Sequence, residues 1–232
     1  MIGENFVEVL EDFENIRKLI TDYRDYLLVK KEWDFENDIR FKFVNQLNIV
    51  LISHSLNLKY INEKISHLDW LKKEASTDNY GATVILESYI TYNKLAFIYT
   101  FSSIVERFLR LILGHIDKTA DLTIDFYNVR KKVFSQLGFD ENGNEWKALS
   151  ILSNIRNTIH NNGIHLTNEK KLKEFIIHYH DLYVGFINGN PHGNGTYEVL
   201  FFILSDLVRL SKLINDHPQI TKTKSIIDNM TF

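Results

Sequence analysis

The chain has 232 residues, of which 44% are hydrophobic and 25% charged, so it can bury a sizeable core and is not a disordered chain. Its formal net charge of −3 excludes a global basic field that would draw it to nucleic acid or to an anionic membrane, and any such binding needs a local patch. The absence of cysteine excludes disulfides and thiolate metal sites.

Neither a secretory signal nor a membrane span is indicated. The acidic stretch MIGENFVEVLEDFEN lacks the apolar segment of a signal peptide. The most apolar long stretch, YITYNKLAFIYTFSSIVERF, is interrupted by Lys94, Glu106 and Arg107. We expect a soluble cytoplasmic protein without a membrane partner.

The scarcity of proline and glycine favours long helices over a sandwich or a barrel. Apolar residues recur at helical spacing in six segments. The predicted helices span about 4–30, 34 or 38 to 74, 83–116, 123–136, 144–161 and 196–215. The second predicted helix is long enough to kink or break, and ASTDNYGAT (75–83) is a predicted turn that follows it. Gly138 is predicted to end the fourth helix, and Asn161-Asn162-Gly163 is a C-cap signal for the fifth.

In one segment the spacing of the apolar residues changes from the period of a helix to that of a strand. FIIHYH (175–180) and LYVGFING (182–189) predict a β-hairpin that turns near His180-Asp181. The predicted fold class is therefore mainly α, a helical bundle of about six helices with a small β-hairpin insertion before the last helix. We expect residues 1–75 to form an N-terminal helical pair, 76–216 the core bundle, and 217–232 a C-terminal tail that is loosely held after Pro218.

The stretch SNIRNTIHNNGIH (153–165) concentrates the residue types that could carry chemistry. Arg156 and His160 are four residues apart and so share a helix face. A guanidinium binds phosphate oxygens as a planar fork, and an imidazole moves protons near neutral pH. Together they could bind a phosphodiester and act on it.

IRNTIHNNG also resembles the signature of the HEPN superfamily, all-helical proteins of bacterial toxin–antitoxin and anti-phage systems. Arg156, Asn157 and His160 match the motif, and Glu106 in FSSIVERFLRLIL resembles the acidic residue that many members carry on a preceding long helix. The resemblance covers about residues 83 to 215, within which the hairpin would be an addition.

The resemblance implies a homodimeric endoribonuclease that uses no metal or other cofactor, with an antitoxin protein as a further partner. His160 would transfer a proton, Arg156 would hold the charge on the phosphate, Asn157 would orient one of them, and Glu106 would position the arginine. The interval between Arg156 and His160 is shorter than usual in the family, and some relatives bind nucleotides or act as scaffolds. The alternative is thus a catalytically inactive module that binds a nucleotide, RNA or a protein.

Two further groups of residues have both a functional and a structural interpretation. The basic runs Arg130-Lys131-Lys132 and Lys170-Lys171-Lys173, together with Asn161 and Asn162, could contact an RNA backbone, although such runs are usually solvated helix faces. His178 and His180 alternate on a predicted strand, with His165 and His192 as further histidines, but no acidic residue stands at a convincing third-ligand position, so we do not expect a metal site. In a purely structural protein, Arg156 and His160 would be occupied by protein partners at a helix end.

Overall fold

A computed structural model describes residues 6–166, 174–191 and 193–228 of the chain. It confirms the mainly α fold with a two-stranded hairpin. The helices of the described residues are α1 (Phe6–Lys30), α2 (Ile39–Tyr60), α3 (Leu68–Glu74), α4 (Asn79–Ile116), α5 (Phe126–Leu137), α6 (Asn144–His160), α7 (Tyr197–Asp216) and α8 (Pro218–Thr221), and the strands are β1 (Glu174–Tyr179) and β2 (Leu182–Ile187). None of these helices is both long enough and apolar enough to cross a membrane.

The long second helix of the prediction is broken in the structure. A π-helical turn, Ile61–Ile65, follows α2 and separates it from α3. The turn closes with a hydrogen bond from the Ser66 N–H to the Ile61 carbonyl at 2.8 Å, and the inserted residue keeps both Ile61 and Ile65 buried. The next helix begins earlier than predicted, because the Asp78 carboxylate caps α4 by accepting from the Gly81 N–H at 2.8 Å.

The 38-residue helix α4 is the centre of the bundle and packs against α2, α5 and α6. The N-terminal pair α1 and α2 shares one hydrophobic core with the later helices. Phe43 of α2 stacks on Phe108 of α4 with ring centroids 4.2 Å apart, and Phe13 of α1 meets Phe97 edge-on at 5.6 Å. These contacts join α4 to the two N-terminal helices.

The hairpin turns at His180-Asp181, as predicted. Its strands pair antiparallel from Tyr179↔Leu182 to Glu174↔Ile187, and β1 packs against α6. Tyr179, Val184 and Phe186 are buried, so one face of the hairpin joins the core.

The segment after Pro218 differs from the prediction of a loosely held tail. Ile220 and Ile226 are buried, and Ile227 forms a β-bridge with Asp38. The reason is a buried ion pair between Asp38 and Arg40 at the start of α2. Arg40 also donates to the Ile220 and Thr223 carbonyls, each at 3.0 Å. The C-terminal segment therefore covers this charged pair up to residue 228, and 229–232 lie outside the described residues.

Candidate functional site

The last turn of α6 ends at His160, and the chain reverses directly after it. Asn162 and Gly163 have φ angles of 56° and 84°, in the left-handed region. The Gly163 N–H donates to the Thr158 carbonyl at 2.8 Å, which satisfies one of the carbonyls left open at the helix end. The C-cap signal of the sequence is thus confirmed, and it leaves the side chain of His160 exposed at the end of the helix.

Arg156 reaches from α6 to α4, where one carboxylate oxygen of Glu106 accepts a hydrogen bond from its Nη1. The other oxygen of Glu106 accepts from Arg110 Nε at 3.0 Å. Arg110 is held in turn by donating to the Ile124 carbonyl at 2.8 Å. The side chains of Glu106 and Arg156 are 15% and 25% exposed, so the ion pair is mostly covered while part of the arginine faces solvent.

The charges of this group do not cancel. Two arginines share one carboxylate, which leaves an excess of one positive charge at the surface between α4 and α6. The Nε of Arg156 is buried and has no hydrogen-bond partner within the described residues. An anion at the exposed part of Arg156 would therefore meet a cation that Glu106 neutralises only in part. Asn157, the next residue of α6, is exposed.

His160 has an aromatic neighbour on α4. Its ring meets that of Tyr99 edge-on, with centroids 5.4 Å apart, and both residues are exposed. Tyr99 and Glu106 are seven residues apart and so lie on one face of α4. The two helices run antiparallel here, which places Tyr99 beside His160 and Glu106 beside Arg156. Tyr99 and Arg110 were not among the site residues predicted from the sequence. Their spacing of seven and four residues from Glu106 places them on the same face of a helix and could have indicated both.

The basic residues predicted to bind phosphate do not form one exposed patch. Arg130 is only 6% exposed and lies under the ring of Trp146, whereas Lys131 and Lys132 are exposed on α5. The backbone N–H of Asn161 caps α6. The second predicted run, Lys170-Lys171-Lys173, lies outside the described residues.

A cavity of about 490 Å³ lies behind the end of α6. Its walls are mostly apolar, with Leu95, Ile98 and Ile159 among them, and Lys94 and Asn162 also line it. Asn162 therefore faces this cavity.

The histidines discussed as metal ligands are dispersed. His178 is exposed on β1, but the strand ends before His180, whose φ of 50° belongs to the turn, so the expected alternation of the two on one strand is wrong. His180 Nε2 lies 2.9 Å from a carboxylate oxygen of Asp206, and His165 is buried behind the hairpin. Within 6–166, 174–191 and 193–228, no three His, Asp or Glu side chains are grouped to hold a metal ion; His192 lies outside these ranges.

Comparison of the chain with protein-family models, with curated proteins and with solved structures finds no match. The chemistry of this surface rests on three of its residues. Arg156 is partly exposed and held by the Glu106 carboxylate, His160 is an exposed imidazole one helical turn later, and Asn157 is an exposed amide between Arg156 and His160 in the chain.

Proposed function

We propose that this chain is a HEPN-like endoribonuclease that cleaves RNA without a metal ion, through Arg156 and His160. The observation that carries the proposal is the ion pair between Arg156 and Glu106 beside the exposed His160. Glu106 and Arg156 come from two helices and are 50 residues apart in the chain. Their pairing brings together the residue types that the resemblance assigns to catalysis.

The reaction is an attack by the RNA 2′-hydroxyl on its own neighbouring phosphate. The bond from the 2′-oxygen to phosphorus forms and the bond to the 5′-oxygen of the next nucleotide breaks, which leaves a cyclic phosphate and a 5′-hydroxyl. His160 removes the proton from the 2′-hydroxyl or donates one to the departing 5′-oxygen. Arg156 stabilises the additional negative charge on the phosphate, and Asn157 hydrogen-bonds to orient the phosphate or the imidazole.

A homodimer fits this chemistry better than a monomer does. In an in-line displacement the attacking and departing oxygens lie on opposite sides of phosphorus, so one imidazole does not reach both. Two copies of His160 facing each other across a cleft would supply a base on one side and an acid on the other. Tyr99 of α4 is exposed beside His160 and offers apolar area to a second copy.

The proposed biological role is that of a toxin or a phage-defence nuclease, with an antitoxin protein as partner. This role rests on the resemblance of IRNTIHNNG to the HEPN motif. A partner protein could cover an RNA-cleaving surface that has a partly exposed arginine and an exposed histidine.

The alternative is a module that binds RNA, a nucleotide or a protein through the same surface without cleaving RNA. One observation favours it: Glu106 already neutralises part of the charge of Arg156, which weakens the stabilisation available to a transition state. Such a module would need Arg156 but not the proton chemistry of His160.

The ends of the RNA products test the proposal. A mixed RNA pool is incubated with the protein in EDTA, beside DNA of the same sequences. We expect RNA fragments with cyclic phosphate and 5′-hydroxyl ends and intact DNA, because DNA lacks the attacking hydroxyl. Products with 5′-phosphate ends, or cleavage of the DNA, would rule out the mechanism, and RNA binding without cleavage would support the alternative.

A further inference from the structure

A second cavity, of about 480 Å³, lies between α5, α6 and β1. Aromatic, polar and charged side chains line it, together with Ile177. They are the aromatic residues Tyr127, Trp146 and Phe175, the polar residues Asn142, Ser150 and Asn154, and the charged residues Arg130, Glu141 and Lys147. None of them belongs to the surface formed by Arg156, His160 and Glu106.

The residue that distinguishes this cavity is Arg130. It is only 6% exposed, and its guanidinium carbon lies 4.6 Å from the ring centre of Trp146 and 5.1 Å from that of Tyr127. Its Nε and Nη1 are buried without a hydrogen-bond partner in the described part of the chain. Buried arginines are normally paired with a carboxylate, because removing the charge from water is costly. Here aromatic faces replace the carboxylate, and they compensate the charge only in part.

The burial of Arg130 also affects its pKa. Burial lowers the pKa of its guanidinium to about 10, although the nearby Tyr127, Asp125 and Glu141 act in the opposite direction. The side chain remains a cation at neutral pH. It is therefore a buried positive charge for which the described chain supplies no directly bonded anion.

The remaining walls indicate what kind of anion would fit. Lys147 adds a second positive charge and Glu141 a negative one, so the side chains that line the cavity carry one net positive charge, while Asp125 acts on Arg130 from outside the lining. The side-chain amide of Asn142 can donate to oxygen atoms, as can the second N–H of the Asn154 amide, whose first N–H donates to the Ser150 carbonyl at 2.8 Å. The Ser150 hydroxyl already donates to the Trp146 carbonyl at 2.9 Å. The rings of Trp146 and Phe175 are flat surfaces on which a planar group could lie.

We propose that this cavity binds an oxyanion, a carboxylate or a phosphate, carried on a flat aromatic ring. Arg130 and Lys147 bind the oxyanion, and the ring lies along the aromatic walls. This site does not depend on RNA cleavage and would function with or without it.

Binding is measured with three probes: phenyl phosphate, benzoate and benzyl alcohol. All three contain a benzene ring, but only phenyl phosphate and benzoate carry an oxyanion. Benzyl alcohol therefore measures the contribution of the ring alone, and the two anions compare a phosphate with a carboxylate. Tryptophan fluorescence reports binding next to Trp146, and the thermal unfolding midpoint reports it independently. Ionic strength is held constant with chloride, because exposed charges respond to salt.

We expect at least one of the two anions to bind at least about tenfold more tightly than benzyl alcohol, since a charge-assisted hydrogen bond contributes that much. At about a hundred times its Kd, that anion should raise the unfolding midpoint by roughly 5 to 10 °C in a chain of this size. Equal binding of the neutral probe, or no binding of either anion at millimolar concentration, would overturn the proposal.

The variant Arg130→Met keeps the length and packing of the side chain but removes the charge. It should lose at least about tenfold in anion affinity, and without ligand its unfolding midpoint should equal or exceed that of the wild type, because an unpaired buried charge is gone. Lys131→Met, on the exposed side of the same helix, is the matched control and should bind as the wild type does. Lys147→Gln, on the cavity wall, provides a second test that leaves Arg130 in place and should weaken anion binding. Unchanged affinity in both Arg130→Met and Lys147→Gln would contradict the assignment.

Discussion

Glu106 holds two arginines with one carboxylate, Arg110 of its own helix and Arg156 of α6. The pair with Arg110 is a helical i,i+4 contact, and the pair with Arg156 joins two helices. The direction of the Arg156 side chain at the surface therefore depends on a residue that does not itself need to touch RNA.

The first prediction concerns this positioning role. Glu106→Gln keeps the shape but removes the charge, so Arg156 should lose its fixed direction and RNA cleavage should fall at least about tenfold. The free energy of unfolding should fall by about 1 to 3 kcal/mol, because two partly buried arginines lose their anion. Cleavage kinetics and urea unfolding measure the two effects. Glu87→Gln, exposed on the same helix, is the control, and equal cleavage in both variants would contradict the role.

The second prediction separates the geometry of Arg156 from its charge. Arg156→Lys retains a cation but loses the planar fork that can bind Glu106 and a phosphate together. We expect cleavage to fall about a hundredfold, as when one stabilising donor is removed from a transition state. Single-turnover rates with saturating RNA measure it. A lysine variant with wild-type rates would mean that only the charge at this position matters.

The sequence predicted the helices well where a local signal marks their ends. Gly138 ends α5 in the left-handed conformation, with a φ of 67°, and Asn162-Gly163 follow α6 in the same way. The break in the predicted second helix after Tyr60 could be anticipated only from the length of that helix, since no proline or glycine stands there. Both ends of the π-helical turn there, Ile61 and Ile65, are buried in the structure, which is a tertiary feature that the local sequence does not mark.

The tail and the cavity residue Arg130 show what a single sequence leaves open. Burial of Ile220 and Ile226 depends on where the chain returns, and the buried Arg40 that fixes this return is 180 residues from Ile220. Likewise, Arg130 within a basic run indicates an exposed patch, yet Trp146 of another helix covers it. Local patterns predict the face of a helix, and contacts between distant segments decide which residues are exposed.

The third prediction tests the buried pair that holds the C-terminal segment. Asp38 accepts from Arg40 Nε at 2.9 Å and from the Ile226 N–H at 3.0 Å, and both charged side chains are fully buried. Asp38→Asn leaves the charge of Arg40 without its anion and should lower the free energy of unfolding by about 3 to 5 kcal/mol. Urea unfolding measures the loss. Asp69→Asn breaks an exposed pair with Lys72 and should have little effect, so equal losses in the two variants would contradict the role of burial.

The fourth prediction concerns pH. Burial lowers the pKa of His54, which is only 3% exposed and stacks on Phe97, from 6.5 to about 4. Between these two values the unfolded chain binds a proton that the folded chain does not, so His54 contributes full stability above about pH 6.5 and loses it as the pH falls toward 4. The slope from this group is at most about 1.4 kcal/mol per pH unit.

His54→Phe should therefore flatten the dependence of the unfolding free energy on pH in this window. The variant loses the contact of His54 Nε2 with the Tyr197 hydroxyl at 3.1 Å, so it should also be less stable than the wild type at pH 7. Urea unfolding at several pH values between 4 and 7 measures both effects. Parallel curves for variant and wild type would show that another group causes the acid sensitivity.

The most direct test of the central claim is the rate of RNA cleavage in EDTA by His160→Ala, compared with the wild type and with His178→Ala, an exposed histidine on the hairpin. We predict a loss of about a hundredfold to ten-thousandfold for His160→Ala, with an unchanged unfolding midpoint, and wild-type cleavage for His178→Ala. Cleavage by His160→Ala at the wild-type rate would contradict the assignment of this surface as the catalytic site.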